Sequence, residues 1–144
     1  MKRYEYSEFL IDVKSLSSQL QEYSPQAILS IARGGVTLGH FLSILLNIRE
    51  FYTINSIYYN DTHKYDNIEI FNIPDLSKYE KIILVDDIVD SGVTMDEVVR
   101  VLTNKYKTLQ IQTVSLFYKQ SAIIKPDFYI HEAKEWIEFF WENL

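Results

Sequence analysis

The sequence predicts an α/β fold, a mostly parallel sheet flanked by helices on both faces. Two observations carry that prediction. Short apolar runs alternate with segments of helical period along the chain, as in parallel sheets built from strand–helix–strand units. The clearest run, Ile82 to Val85, is continuously apolar and reads as a strand buried on both faces.

The elements follow in order. Ser7 is placed to cap a helix running to about Gln21, with Phe9, Leu10, Val13, Leu16 and Leu20 at helical spacing. Ala27 to Ala32 reads as a short strand, Arg33-Gly34-Gly35 as a turn, and Val36 to Asn47 as an apolar helix. Phe51 to Tyr59 is strand-like. Asn60 to Asn72 is the most polar stretch and reads as a loop, with weak strands at most. Lys81 to Val85 is the central strand. Thr94-Met95-Asp96-Glu97 has the form of a capping box and opens a helix to about Lys105. Leu109 to Tyr118 and Asp127 to Ile130 read as strands. The aromatic tail from Glu135 to Glu142 fits no clean period.

The chain has 144 residues, 47% hydrophobic and 24% charged, which suits one globular domain over 1–144. It has no cysteine, which excludes disulfides, thiolate metal sites and cysteine nucleophiles. No N-terminal segment resembles a signal peptide and no apolar run is long enough for a bilayer, so a cytoplasmic protein without a membrane anchor is expected. A net charge of −6 argues against nucleic acid as the partner.

The chemistry concentrates where strands end. Two adjacent acids, Asp86 and Asp87, terminate the central strand, and Asp90-Ser91-Gly92-Val93-Thr94 forms a small-residue turn before a helix. Carboxylates accept hydrogen bonds from a diol and coordinate hard cations. Backbone N–H groups at a helix start, with the Ser91 and Thr94 hydroxyls, make an anion cradle. Gly92 lets the backbone approach a phosphate closely. The arrangement suits a phosphorylated sugar bound with Mg²⁺. Lone acids at a strand end are usually only solvated, and Thr94 at capping spacing serves a helix start as well as a phosphate. Ser30 to Gly35 also follows a strand and precedes a helix, so both loops should meet beyond the sheet's C-terminal edge.

From Ile82 to Thr94 the chain resembles the phosphoribosyl pyrophosphate motif of the type I phosphoribosyltransferases, with Ser91 where Thr is usual. The resemblance implies that family's fold, with a flexible lid at about 60–72 and a small C-terminal hood at about 119–144. It implies that Asp86 and Asp87 face the ribose hydroxyls and Mg²⁺, that residues Asp90, Ser91, Gly92, Val93 and Thr94 hold the 5′-phosphate, and that Arg33 and Gly34 contact pyrophosphate. That loop sometimes holds a non-proline cis peptide. The lid usually begins Ser-Tyr, where this chain has Tyr58-Tyr59; His63 and Lys64 are lid candidates for pyrophosphate.

The tail, Trp136-Ile137-Glu138-Phe139-Phe140-Trp141-Glu142, resembles that of xanthine–guanine (6-oxopurine) phosphoribosyltransferases. There the lysine matching Lys119 donates to the 6-oxo group. The aromatic matching Trp136 stacks on the purine, the backbone at Ile137 reads its exocyclic edge, and the acid matching Glu142 lies near a second metal. Asp90 then becomes the catalytic acceptor of the N7 proton. A flat ring suits an aromatic platform, and a cation beside a carbonyl oxygen selects oxo over amino. The competing reading has Trp136, Phe139, Phe140 and Trp141 only close the core against a partner subunit and leaves Lys119 on the surface. The expected function is transfer of 5-phosphoribosyl from phosphoribosyl pyrophosphate to guanine, xanthine or hypoxanthine by a homodimer or homotetramer. A non-catalytic sensor of the same donor on the same fold is the alternative.

Overall fold

A computed structural model describes residues 1–59 and 67–144. In chain order the elements are β1 (Lys2–Tyr4), α1 (Tyr6–Tyr23), β2 (Ala27–Ala32), α2 (Val36–Leu45), β3 (Phe51–Tyr58), β4 (Ile68–Phe71), β5 (Lys81–Val85), β6 (Ile88–Val89), α3 (Val93–Lys105), β7 (Gln110–Val114), β8 (Phe117–Tyr118), β9 (His131–Glu132) and β10 (Ile137–Phe139).

The central sheet has the order β4-β3-β2-β5-β7. Strands β2, β3, β5 and β7 are parallel, and β4 pairs antiparallel to β3 at one edge. Alternation along β5 explains its unbroken apolar run. Ile83 and Val85 join the core beneath α1 and α2, with Phe9, Leu16, Leu38 and Leu42. Ile82 and Leu84 join the core beneath α3, with Val98 and Leu102. A strand covered on both faces has no solvated side to carry polar residues. The predicted two-sided α/β architecture is therefore the observed one.

Several boundaries differ from expectation, each for a tertiary reason. Helix α1 begins at Tyr6 behind an extended Glu5 and makes no side-chain cap, so Ser7 lies inside the helix. The capping-box reading of Thr94 also fails. Helix α3 begins at Val93, and its N-cap is Gly92 at φ 86°, a left-handed conformation that glycine adopts readily. Part of the predicted loop at 60–72 is strand β4, which pairs Ile68 with Tyr58 and Phe71 with Asn55. Residues 60–66 of that loop, including His63 and Lys64, lie outside the described residues.

The predicted strand from Leu109 to Tyr118 divides into two. Leu116 and Phe117 N–H groups both turn to the Asp87 carbonyl, at 3.0 and 3.3 Å, and Ser115 Oγ donates to the Phe117 carbonyl. The chain thus leaves the central sheet and enters a second one, β6-β8-β9, all parallel. We call this second sheet, with the tail that follows it, the hood; β6 and β8 lie before the expected start at about 119. The Asp127–Ile130 strand reduces to a single bridge from Phe128 to Val114, and the hood strand follows at β9.

The tail resolves into β10, which pairs in parallel with β1. Ile137 and Phe139 point inward, then Phe140 and Trp141 pack around Phe9. Phe139, Phe140 and Trp141 thus pack into the core of the chain itself. Buried Asp12 on α1 ties the hood to the body. It accepts from the Tyr4 hydroxyl at 2.6 Å and lies 2.7 Å from His131 Nε2. Burial, then the Asp12 hydrogen bond, pushes the Tyr4 hydroxyl well above the usual phenol range. Among the described residues, no helix is long and apolar enough to cross a membrane.

Candidate active site

The site forms beyond the C-terminal ends of β2, β3 and β5. At the end of β5, Asp86 N–H still donates to the Val114 carbonyl at 3.0 Å, which continues the sheet by one residue. The chain then turns on its own carboxylates. Asp87 N–H donates to Asp86 Oδ1 at 2.9 Å, and Ile88 N–H donates to Asp87 Oδ1 at 2.7 Å. Asp86 and Asp87 diverge into different cavities.

Their environment disfavours charge. Burial, then the neighbouring Asp87 charge, raises Asp86 well above the usual carboxylate range. Burial chiefly raises Asp87 to about 6, and Glu142 adds repulsion. The folded chain holds the Asp87 proton to about pH 6, whereas an unfolded chain releases it near 3.8. This carboxyl therefore opposes folding increasingly as pH rises from about 4 to about 6, and fully above that. Asp87→Asn keeps an acceptor for Ile88 N–H and removes the charge. We expect the variant, in the presence of a chelator, to melt higher than the parent at pH 7.5, by on the order of 1–3 kcal/mol of stability. The gain should vanish near pH 4, as thermal unfolding at the two pH values will show.

The Arg33-Gly34-Gly35 turn faces these acids. Its Ala32–Arg33 peptide is cis. A Cβ on Gly34 would lie 2.7 Å from Asp87 Oδ2, and one on Gly35 would lie 2.3 Å from the Val85 carbonyl oxygen. Only glycine lets the two loops approach this closely. Arg33 is exposed and lines a cavity of about 550 Å³ with Gly34, Trp141 and Glu142.

A second cavity, about 140 Å³, is lined by Asp86, Asp90, Ser91, Gly92, Thr94 and Tyr58. The first N–H groups of a helix have no intrahelical acceptor, and α3 begins here. Val93 N–H lies 3.3 Å from Ser91 Oγ, while the Val93 side chain is buried. The hood braces the turn from outside, because Ile123 N–H donates to the Ser91 carbonyl at 2.9 Å.

A third cavity, about 170 Å³, collects Asp87, Asp90, Lys119, Trp136, Ile137 and Glu142. Lys119 is fixed by its backbone N–H on the Val89 carbonyl at 2.9 Å, and its Nζ lies 2.7 Å from Asp90 Oδ1. Lys119 is thus directed into the site rather than free on the surface. Trp136 is 68% exposed, which removes it from the core. Ile137 is buried in β10, where β1 pairs beside it. Asp90 lines both the second and the third cavity, so it stands between them.

The described residues singled out from the sequence for the site therefore lie at one end of the sheet. They do not all converge on one point. Asp86 faces the small cavity of the turn, Asp87 the cavity of the hood and Arg33 the cavity of about 550 Å³, while Glu142 lines the last two. Among the described residues, no three acids or histidines gather closely enough to hold a metal by themselves. Glu142 accepts from Phe139 N–H at 3.4 Å and lines the same cavity as Asp87, away from Asp86. Sequence reasoning missed Tyr58 as a cavity residue. Its place at the end of a strand neighbouring β2 was the available signal.

Residues 4–143 match the phosphoribosyl transferase domain family. A xanthine-guanine-hypoxanthine phosphoribosyltransferase of Helicobacter pylori is 41% identical, over 97% of this chain and 92% of that chain, with a TM-score of 0.90. A purine phosphoribosyltransferase of Pyrococcus horikoshii is 25% identical over the same shares, with a TM-score of 0.83. A hypoxanthine phosphoribosyltransferase of Staphylococcus aureus shares the fold at 16% identity, over 85% of this chain and 73% of that chain, with a TM-score of 0.69. No curated protein matches the chain. On the family match and the 41% relative, the chain belongs to the phosphoribosyltransferases.

Proposed function

We propose that the protein transfers 5-phosphoribosyl from phosphoribosyl pyrophosphate to a 6-oxopurine, in purine salvage in the cytoplasm. The observation that carries this reading is the Lys119–Asp90 pair at 2.7 Å, in which Asp90 lines both the cavity of the turn and that of the hood. It offers a donor beside an acceptor. A 6-oxopurine presents the complement, a carbonyl oxygen beside a protonated N7. Adenine would set an amino donor against the Lys119 ammonium, which has no acceptor. The name of the Helicobacter pylori relative agrees with this choice.

In this reading the turn from Asp90 to Thr94 holds the 5′-phosphate, and Arg33 with the backbone at Gly34 holds the pyrophosphate. Asp86 and Asp87 orient the ribose diol. N9 attacks the anomeric carbon as its bond to the pyrophosphate oxygen breaks. The N7 proton passes to Asp90. Arg33 stabilises charge on the departing pyrophosphate, and much of the acceleration comes from holding both reactants in line.

Asp86 and Asp87 are hard oxygen donors at the end of β5 that would hold Mg²⁺ together with substrate oxygens and water, and a cation would relieve the repulsion that raises Asp86. Bound there, Mg²⁺ would neutralise pyrophosphate charge. Asp86 and Asp87 are the proposed ligands, with Glu142 beside a second ion.

The test follows pyrophosphate release with phosphoribosyl pyrophosphate and guanine, xanthine or hypoxanthine, with Mg²⁺ or with excess chelator. Release that needs both a 6-oxopurine and Mg²⁺ is expected. No release with any base would sink the proposal. Trp136→Ala tests the platform. Losing a base stack should raise KM for the base roughly 5- to 100-fold and leave KM for the donor unchanged. An unchanged base KM would end the stacking role. The proposed homodimer or homotetramer rests on the family resemblance.

A further inference from the structure

We propose that Asp12 is a positioning residue for the purine base, setting the Lys119 side of the hood against its Trp136 side through Tyr4 and His131. The inference rests on the 6-oxopurine reading of that site.

The two sides belong to different sheets. Lys119 directly follows β8, in the three-stranded sheet β6-β8-β9. Trp136 directly precedes β10, which pairs with β1. Residues 133–136 connect the two sheets along the chain. A base gripped from both sides is held well only at one spacing of the two sheets.

Asp12 gives both sheets one anchor. It is buried on α1, and its Oδ2 accepts a hydrogen bond from each sheet. The Tyr4 hydroxyl on β1 donates at 2.6 Å, and His131 Nε2 on β9 donates at 2.7 Å. A carboxylate oxygen has lone pairs for two donors. Tyr4 stands beside Phe139 in the β1–β10 register, and His131 beside Phe117 in the β8–β9 register. Rings fill the space between. Tyr4 packs edge-on against Phe117 and Phe139, at 5.1 and 5.7 Å between centroids, and Phe117 lies 5.0 Å from His131. Apolar contacts are non-directional and tolerate sliding. Hydrogen bonds to a charged oxygen are short and directional, so they fix the relative placement of the two sheets. The loops that hold phosphoribosyl pyrophosphate have a different support, since they extend from β2 and β5 of the central sheet. Loosening the Asp12 contacts should therefore shift the grip on the base and leave those loops in place.

The test compares KM for guanine and for phosphoribosyl pyrophosphate, with Mg²⁺, in the parent, Tyr4→Phe, His131→Phe and His131→Gln. All assays run below the lowest melting temperature of the set. Phenylalanine keeps a ring and removes the hydrogen bond, whereas glutamine restores an N–H donor with a reach like that of Nε2. Tyr4→Phe and His131→Phe should each raise KM for guanine roughly tenfold, short of the ~10²-fold that a misplacement of about 1 Å costs. KM for phosphoribosyl pyrophosphate should stay as it is. His131→Gln should bring KM for guanine back to within about twofold of the parent. The His131 side chain is 40% exposed, so His131→Phe decides the matter even if Tyr4→Phe does not fold. An unchanged KM for guanine in His131→Phe would overturn the inference while leaving the 6-oxopurine reading intact. Equal losses for the two substrates would overturn it as well, since Asp12 would then support the whole fold. So would equal impairment in His131→Gln and His131→Phe, which would assign the effect to the ring and not to the hydrogen bond. A parent without turnover would overturn the 6-oxopurine reading, and this inference with it.

Discussion

Asp90→Asn should lower turnover with guanine by roughly 10²- to 10⁴-fold, the usual worth of a positioned proton acceptor. Binding of phosphoribosyl pyrophosphate should change little. Asparagine has the same shape and still presents an oxygen to Lys119. It cannot take the N7 proton. The Asp90 side chain is 57% exposed, so its role is not to support the core. Its ion pair with a 38%-exposed Lys119 contributes little to stability in water. The melting temperature of the variant should therefore stay near that of the parent. Single-turnover kinetics with donor titration separate the effects. Equal losses in donor affinity and turnover would make Asp90 a phosphate-loop residue and not a base.

Lys119→Met should remove discrimination more than it removes binding. Methionine keeps the apolar stem and loses the charged donor. The backbone hydrogen bond from Lys119 to Val89 persists, so the hood should keep its place. A hydrogen bond from a charged group is worth about 1.5–3 kcal/mol, so kcat/KM for guanine should fall roughly 10- to 150-fold. The small rate with adenine should fall less, because adenine offers no 6-oxo acceptor. The ratio of the two rates is the informative readout. A parallel loss for both bases would mean that Lys119 acts only by holding Asp90.

The central sheet and the donor loop were legible because their signals are local. Strand β5 is apolar at every position since both its faces are covered, and the acids that end it stand next to it in sequence. The turn before α3 needs small residues and a glycine for reasons internal to the turn. What escaped depends on partners far along the chain. Ser115 divides one expected strand into two because Leu116 and Phe117 meet the Asp87 carbonyl. Strand β10 is three residues long and finds its partner, β1, at the other end of the chain. Thr94 has the letters of a capping box, but the left-handed Gly92 starts the helix without it. Tyr58 meets Thr94 across 36 residues, a distance no motif spans. The tail is an intermediate case. Its aromatics were visible, but the division between an exposed Trp136 and a packed Trp141 comes from the strand and turn that separate them.

In the proposed function, one site bounded by the turn before α3 and the hood joins phosphoribosyl to a 6-oxopurine. A competition measures it directly. Equal concentrations of guanine, xanthine, hypoxanthine and adenine are given to the protein with phosphoribosyl pyrophosphate and Mg²⁺, and the nucleotides formed are separated and quantified. The predicted result is nucleoside 5′-monophosphates of one or more 6-oxopurines, with adenosine 5′-monophosphate minor or undetected. Adenosine 5′-monophosphate as the main product, or no nucleotide at all, would contradict it.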